Sequence, residues 1–103
     1  MRMEMKYIGI DLGGTNTKIA LVSAGGRILE RREFLTKAYK DKSALINAIA
    51  VSINQLKKKG ARAAGIGVPG LVDSKTGIVH HLTNIAGWKN VNLKKELEKR
   101  TGI

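Results

Sequence analysis

Residues 7–22 read Tyr7-Ile8-Gly9-Ile10-Asp11-Leu12-Gly13-Gly14-Thr15-Asn16-Thr17-Lys18-Ile19-Ala20-Leu21-Val22. Two apolar runs, rich in Ile, Leu and Val, flank a short segment of glycines, hydroxyls and charged groups. Apolar runs of this length on either side of a glycine pair indicate two strands joined by a tight turn. The stretch therefore predicts a β-hairpin with a polar turn.

The turn has the composition of a phosphate-binding loop. Neither Gly13 nor Gly14 carries a Cβ, so backbone N–H groups can approach an anion closely. Thr15 and Thr17 add hydroxyl donors, and Lys18 adds a compact positive charge. We therefore expect the turn to bind the phosphates of a cofactor.

Asp11 is the acidic residue of this stretch, and it predicts a metal site. A carboxylate repels phosphate unless a cation stands between them. Magnesium is usually held by one or two carboxylates, several waters and the substrate phosphates. We expect Asp11 to bind Mg²⁺.

Two other glycine-rich loops are excluded by the residues around the turn. The Walker pattern is absent, and a dinucleotide-binding loop needs a helix directly after its glycines, whereas residues 18–22 are typical of a strand. An ordinary hairpin turn that uses glycine for positive φ explains the Gly-Gly pair alone equally well. Asp11, Thr15 and Lys18 favour the phosphate-binding interpretation.

The chain after the hairpin predicts a third strand, a helix and a fourth strand. Residues 28–35 carry charges of both signs, which suits an outermost strand of an antiparallel meander. A helix should follow, capped by Ser43 or Asp41, because apolar residues recur at helical spacing at Leu45, Ile46, Ile49, Ile53 and Leu56. Residues 61–68 then predict a strand beside the first one.

The remaining residues predict a loop or β segment with turns, followed by a last helix. Asp73 has the surroundings of an Asx-type loop, and His80 and His81 are interpreted as ordinary loop residues. Trp88 is expected to pack and anchor its segment while its N–H finds a partner. Asn92 is a plausible cap for a helix that ends at Thr101-Gly102 and carries a Glu96–Arg100 pair.

Composition limits the class of protein. A chain of 103 residues forms one domain at most, and the absence of cysteine excludes disulfides and thiolate sites within it. No run approaches the roughly 18 apolar residues of a membrane span. The net charge of +11 is scattered and has few aromatics beside it, which argues against a nucleic-acid partner. We expect a cytoplasmic protein.

Three stretches resemble a known family. Residues 11–18 look like the first phosphate motif of the actin-like ATPase and sugar kinase superfamily, and the ROK family of sugar kinases and related repressors fits best. The second stretch is similar to the next characteristic segment of that family, and the third is similar to its sugar-contacting loop. They are Gly65-Ile66-Gly67-Val68-Pro69-Gly70-Leu71-Val72-Asp73 and Thr83-Asn84-Ile85-Ala86-Gly87-Trp88.

The resemblance implies an α/β, actin-like ATPase (ribonuclease H-like) fold, of which residues 1–103 would be an incomplete N-terminal lobe. It implies phosphorylation of a hexose such as glucose, with ATP and Mg²⁺ as cofactors and a homo-oligomer as the full-length protein. The implied sugar contacts are the backbone of Gly70 and the side chains of Thr83 and Asn84. The implied cofactor contacts are Asp11, Gly13, Gly14, Thr15, Asn16, Thr17 and Lys18.

The family's catalytic aspartate has no counterpart in the sequence, because by resemblance it lies just beyond a strand that would start at Ile103. We therefore assign no catalytic residue and expect this segment alone to be inactive. Two alternatives stay open. One is the corresponding lobe of a sugar-sensing ROK repressor, and the other is a non-catalytic binding module.

Overall fold

The computed structural model describes residues 4–82, 85 and 87–103. These residues form two sheets and two α-helices. The strands are β1 (Lys6–Leu12), β2 (Asn16–Ser23), β3 (Ile28–Leu35), β4 (Ala61–Gly67), β5 (Gly70–Asp73), β6 (Ile78–Leu82) and β7 (Lys89–Asn92), and the helices are α1 (Lys42–Lys57) and α2 (Leu93–Thr101). The predicted order of three strands, a helix and a fourth strand is confirmed.

The first four strands form one sheet in the order β3-β2-β1-β4. β1, β2 and β3 make a consecutive antiparallel meander, and β4 runs parallel to β1. A parallel partner needs a crossover connection, which α1 supplies. The predicted position of the charged strand β3 at the edge is confirmed, and the ends of β1 and β4 meet where Asp11 lies opposite Gly67.

One face of the two central strands, β1 and β2, is buried, and their opposite face is more exposed. Buried and less buried residues alternate along β1 and β2, as the two-residue period of a strand requires. The opposite face carries Gly9, Asp11 and Lys18, which are exposed. The buried face and the apolar face of α1 share one hydrophobic core, which includes Ile8, Ile10, Leu12, Ile19, Leu21, Leu45, Ile46, Ile49, Ile53 and Leu56.

Both helices begin at a side chain that accepts a hydrogen bond from the first turn. Of the two candidates for α1, the structure selects Asp41, whose Oδ1 accepts from the Ala44 N–H at 2.8 Å. Asn92 caps α2 as predicted, since its Oδ1 accepts from the Lys95 N–H at 3.0 Å. Gly102 ends α2 with a φ of +76°. Neither helix in the described ranges is long and apolar enough to cross a membrane.

The second sheet contains β5, β6 and β7 in that order, all antiparallel. The interpretation of His80 and His81 as loop residues is wrong, because both lie in β6. Val79 and Leu82 bury their side chains on either side of the histidines and fix this segment as a strand. His80 Nδ1 lies 2.8 Å from Asn90 Oδ1 on β7.

The loop after β5 is the Asx-type loop predicted for Asp73. Its Oδ1 accepts from the Lys75 N–H at 2.9 Å and from the Thr76 N–H at 3.3 Å. These backbone donors hold the pKa of the Asp73 carboxyl below its usual value, because they favour the charged form. The carboxylate therefore has a structural role in this loop.

An ion-pair network ties the edge strand β3 to the end of α1. Glu30 contacts the Nζ of Lys59 and accepts from Arg32 at 2.9 Å. Hydrogen bonds from Lys59 and then from Arg32 lower the pKa of Glu30 below its usual value of 4.5. The network joins two elements that are far apart in sequence.

We expect Asp41→Ala to lower the free energy of unfolding by about 1 kcal/mol, because the first turn of α1 loses its side-chain acceptor. Urea unfolding of the protein measures this change. Ser43→Ala is the matched control, since Ser43 lies inside the first turn and should change stability by less than about 0.5 kcal/mol. An equal loss in both variants would contradict the assignment of the cap.

We expect Glu30→Gln to destabilise the protein at neutral pH and to lose that effect in acid. The pKa of Glu30 is lower in the folded state than the usual 4.5, so its stabilisation is present above that pH and disappears as the pH falls through the folded-state pKa. Urea unfolding of both proteins from neutral pH to about pH 3 tests this.

The control for this experiment is Glu33→Gln, on the same strand, because Glu33 is in none of the ion pairs found among the described residues. A stability difference between wild type and Glu30→Gln that stays constant with pH would contradict the role of Glu30.

Candidate functional site

The turn between β1 and β2 is narrow and is closed by its own backbone. The N–H of Gly13 donates to the carbonyl of Asn16 at 3.0 Å. A Cβ at position 13 would lie 2.5 Å from that carbonyl oxygen, which no side chain can do without displacing the backbone. Glycine is therefore required at this position by the close approach of the chain to itself.

Thr36, directly after β3, holds this turn from the buried side. Its Oγ1 donates to the carbonyl of Gly13 at 2.7 Å, and its N–H donates to the carbonyl of Thr15 at 2.8 Å. Thr36 is only 2% exposed. Thr36, which follows β3, therefore fixes both ends of the turn.

Thr17, a predicted phosphate donor, lies on the buried face of β2. It is 0% exposed, and its Oγ1 lies 2.7 Å from Oγ1 of Thr36. The alternation of the strand places Thr17 with Ile19 and Leu21, on the side that packs into the core. A direct contact between Thr17 and a phosphate stays a prediction.

The exposed face beside the turn brings opposite charges together. Asp11 and Lys18 are direct partners in the β1–β2 register, and both are exposed. Thr15 is exposed next to them, while Gly13, Gly14 and Asn16 are partly buried. A shallow cavity of about 620 Å³ covers this face, and its lining includes Gly9, Asp11, Lys18, Ala20, Arg31 and Glu33.

Asp11 is suited to bind a metal ion that takes its other ligands from water and from a bound phosphate. Its carboxylate takes part in none of the ion pairs found among the described residues. No group of three or more His, Cys, Asp or Glu side chains within the described ranges could hold a metal by itself. One exposed carboxylate beside a turn that is predicted to bind phosphate fits Mg²⁺, which takes most of its other ligands from water and phosphate.

Of the predicted sugar contacts, the structure describes Gly70, which lies in the second sheet. Gly70 begins β5 opposite Leu82, and a Cβ there would collide with the carbonyl of His81, so glycine is needed for this strand pairing. Thr83 and Asn84 lie outside the described residues. Trp88 is 2% exposed, as predicted, but its indole N–H has no acceptor within the described part of the chain.

Sequence reasoning missed Thr36, which lies between the predicted third strand and the predicted helix cap and was assigned no role. The residue contacts Gly13, far away in sequence, and no local pattern marks such a contact. The buried position of Thr17 did have a signal, because it shares the period of Ile19 and Leu21. The alternation along β2 was therefore sufficient to predict that Thr17 faces the core.

Comparison with known proteins identifies the family of this chain. The sequence profile described as the ROK family matches residues 7–103. Glucokinase of Thermotoga maritima is 41% identical over 100 residues, which cover 96% of this chain and 32% of that protein. The chain therefore spans about a third of the length of such relatives.

Solved structures show the same fold. A ROK family glucokinase from Streptomyces griseus, in complex with glucose and AMPPNP, matches 95% of this chain and 31% of its own with a TM-score of 0.84 and 31% identity. A ROK family transcriptional regulator, described as a homologue of the E. coli MLC protein, matches 96% of this chain and 26% of its own with a TM-score of 0.81 and 26% identity.

These likenesses confirm the predicted fold class, an actin-like ATPase fold of which part is present here. The family match extends from the first strand to the last described residue and includes the whole turn between β1 and β2. The chain therefore belongs to the ROK family.

Proposed function

We propose that the full-length protein transfers the terminal phosphate of ATP to a hexose, glucose or a related sugar. Residues 1–103 would be an incomplete N-terminal lobe that supplies the phosphate-binding turn and part of the sugar site. The observation that carries this proposal is the pairing of Asp11 with Lys18 on an exposed sheet face, beside a glycine turn, in a member of the ROK family.

The proposed nucleotide contacts come from the turn and its flanking strands. Lys18 offers a positive charge to phosphate oxygens, and Thr15 offers an exposed hydroxyl. Mg²⁺ bound at Asp11 would neutralise part of the phosphate charge. The AMPPNP and glucose in the Streptomyces griseus glucokinase support ATP as cofactor and a hexose as substrate.

The proposed sugar contacts are the backbone of Gly70 and the side chains of Thr83 and Asn84. The side-chain amide of an Asn both donates and accepts hydrogen bonds, as recognition of sugar hydroxyls requires. Transfer to a hydroxyl also needs a base for its proton. We propose that a carboxylate from the rest of the full-length protein provides it, because relatives are about three times as long as this chain.

A second candidate is a sugar-sensing transcriptional regulator. The ROK regulator that matches 96% of this chain shows that the fold also serves that class. The two candidates differ in one measurable property, because a kinase turns over ATP in the presence of a hexose and a regulator binds operator DNA. Hexose-dependent release of ADP by the full-length protein supports the kinase, and its absence together with DNA binding supports the regulator.

We expect Asp11→Asn to lower kcat/KM for ATP about 100-fold or more, because a preorganised charge that holds the metal is lost. The assay follows ADP release at a series of Mg²⁺ concentrations, and the variant should need more Mg²⁺ for half-maximal rate. Glu98→Gln, which removes an exposed carboxylate from α2, is the control and should behave as wild type. Unchanged Mg²⁺ dependence in Asp11→Asn would contradict the metal assignment.

We expect Asn84→Ala to lower kcat/KM for the hexose about tenfold to 100-fold, with KM for ATP nearly unchanged, because hydroxyls of the bound sugar lose a partner. Initial rates at varied sugar concentration measure this. Asn47→Ala, an exposed position on α1, is the matched control. If Asn84→Ala kept the wild-type KM and kcat for every hexose phosphorylated, Asn84 would not be a sugar contact.

A further inference from the structure

We propose that Thr36 is the positioning residue of the phosphate-binding turn. It draws the carbonyl of Gly13 to the buried side and so turns the N–H of Gly14 toward the ligand. The inference rests on the proposed function, because it concerns how the same turn binds phosphate. Thr36 itself is only 2% exposed, so we assign it no direct contact with the ligand.

The direction of the Gly14 N–H follows from the planarity of the peptide bond. In a trans peptide, the carbonyl of one residue and the N–H of the next point in opposite directions. All peptide bonds that the structure describes are trans. Because the Gly13 carbonyl points at Oγ1 of Thr36, at 2.7 Å, the Gly14 N–H points away from the buried side.

The second hydrogen bond of Thr36 fixes the other end of the turn. Its N–H donates to the carbonyl of Thr15 at 2.8 Å. The turn is thus held at Gly13 by a hydroxyl and at Thr15 by a backbone donor of the same residue. A turn fixed at both ends presents its donors without further ordering when phosphate binds, which favours affinity.

The hydroxyl protons can be assigned from the same contacts. The carbonyl of Gly13 can only accept, so the single hydroxyl proton of Thr36 is donated to it. The contact of 2.7 Å between the two Oγ1 atoms must then use the proton of Thr17. Thr17 therefore supports Thr36 and has no proton left for a phosphate oxygen. By this assignment, Thr17 helps to hold the turn through Thr36.

The test compares four variants of the complete chain that the coding sequence encodes. Thr36→Val removes the hydroxyl and keeps the shape, and Thr36→Ser keeps the hydroxyl. Thr17→Val removes the supporting hydroxyl. Thr101→Val is the matched control, because Thr101 is also a buried threonine whose Oγ1 donates to a carbonyl, that of Leu97 at 2.6 Å, but in α2.

We expect Thr36→Val to raise KM for ATP about tenfold or more, while KM for the hexose changes less than about threefold, since a buried hydrogen bond is lost at the turn alone. Thr36→Ser and Thr101→Val should stay within about threefold of wild type in both constants, and Thr17→Val should change KM for ATP less than Thr36→Val does. A merely structural role would lower stability in Thr36→Val and Thr101→Val alike without changing KM for ATP.

The inference is overturned if Thr36→Val folds and keeps the wild-type KM for ATP, or if Thr17→Val raises that KM as much as Thr36→Val. If Thr36→Val does not fold, Thr36→Ser and Thr17→Val test the inference in its place. A rise of more than tenfold in the KM for ATP of Thr17→Val would make Thr17 a direct phosphate contact and would overturn the inference.

The experiment also separates this inference from the proposed function. If the wild-type protein phosphorylates no hexose, the proposed function fails, and calorimetric titration of the same variants with ADP and Mg²⁺ replaces KM. A tenfold weaker Kd in Thr36→Val, with Thr36→Ser and Thr101→Val unchanged, then supports the positioning role. If wild type binds no ADP, both proposals are wrong.

Discussion

Burial of one face of β1 is the constraint on which the site depends. Ile8, Ile10 and Leu12 face the core that α1 covers, and the two-residue period of a strand then fixes Gly9 and Asp11 on the other side. A slip of one residue in the pairing would expose three large apolar side chains and bury a carboxylate. The hydrophobic core therefore fixes the side of the sheet on which Asp11 lies.

Much of the fold could be predicted because its signals are local. The strand at residues 28–35 has the predicted bounds, and all five apolar positions of α1 that the spacing marked are buried, although Ala50 and Ser52 are buried as well. Short strands with mixed composition could not be found this way. β5 and β7 have four residues each, and β7 contains Asn90 with a φ of +51°, so pairing with β6 decides their structure.

The exposed residues of the candidate site could be predicted from the sequence, but the buried residue that holds the turn could not. Asp11 and Lys18 stand out by charge beside a glycine pair, and the register places them opposite each other. The role of Thr36 could not be predicted, because it depends on a hydrogen bond to Gly13, and only the fold brings these two residues together. A glucokinase and a transcriptional regulator match nearly the whole of this chain with similar TM-scores, so its fold alone does not decide between the two classes.

The connectivity of the first sheet also sets the order in which it can assemble. β1 meets β2 across a turn of a few residues, whereas Lys6 of β1 pairs with Ala61 of β4 only after the whole meander and α1 intervene. Closing the longer loop costs more chain entropy, and contacts between distant residues form more slowly. We therefore expect the turn between β1 and β2 to form among the earliest contacts of folding, and the parallel pairing that places Gly67 beside Asp11 among the latest.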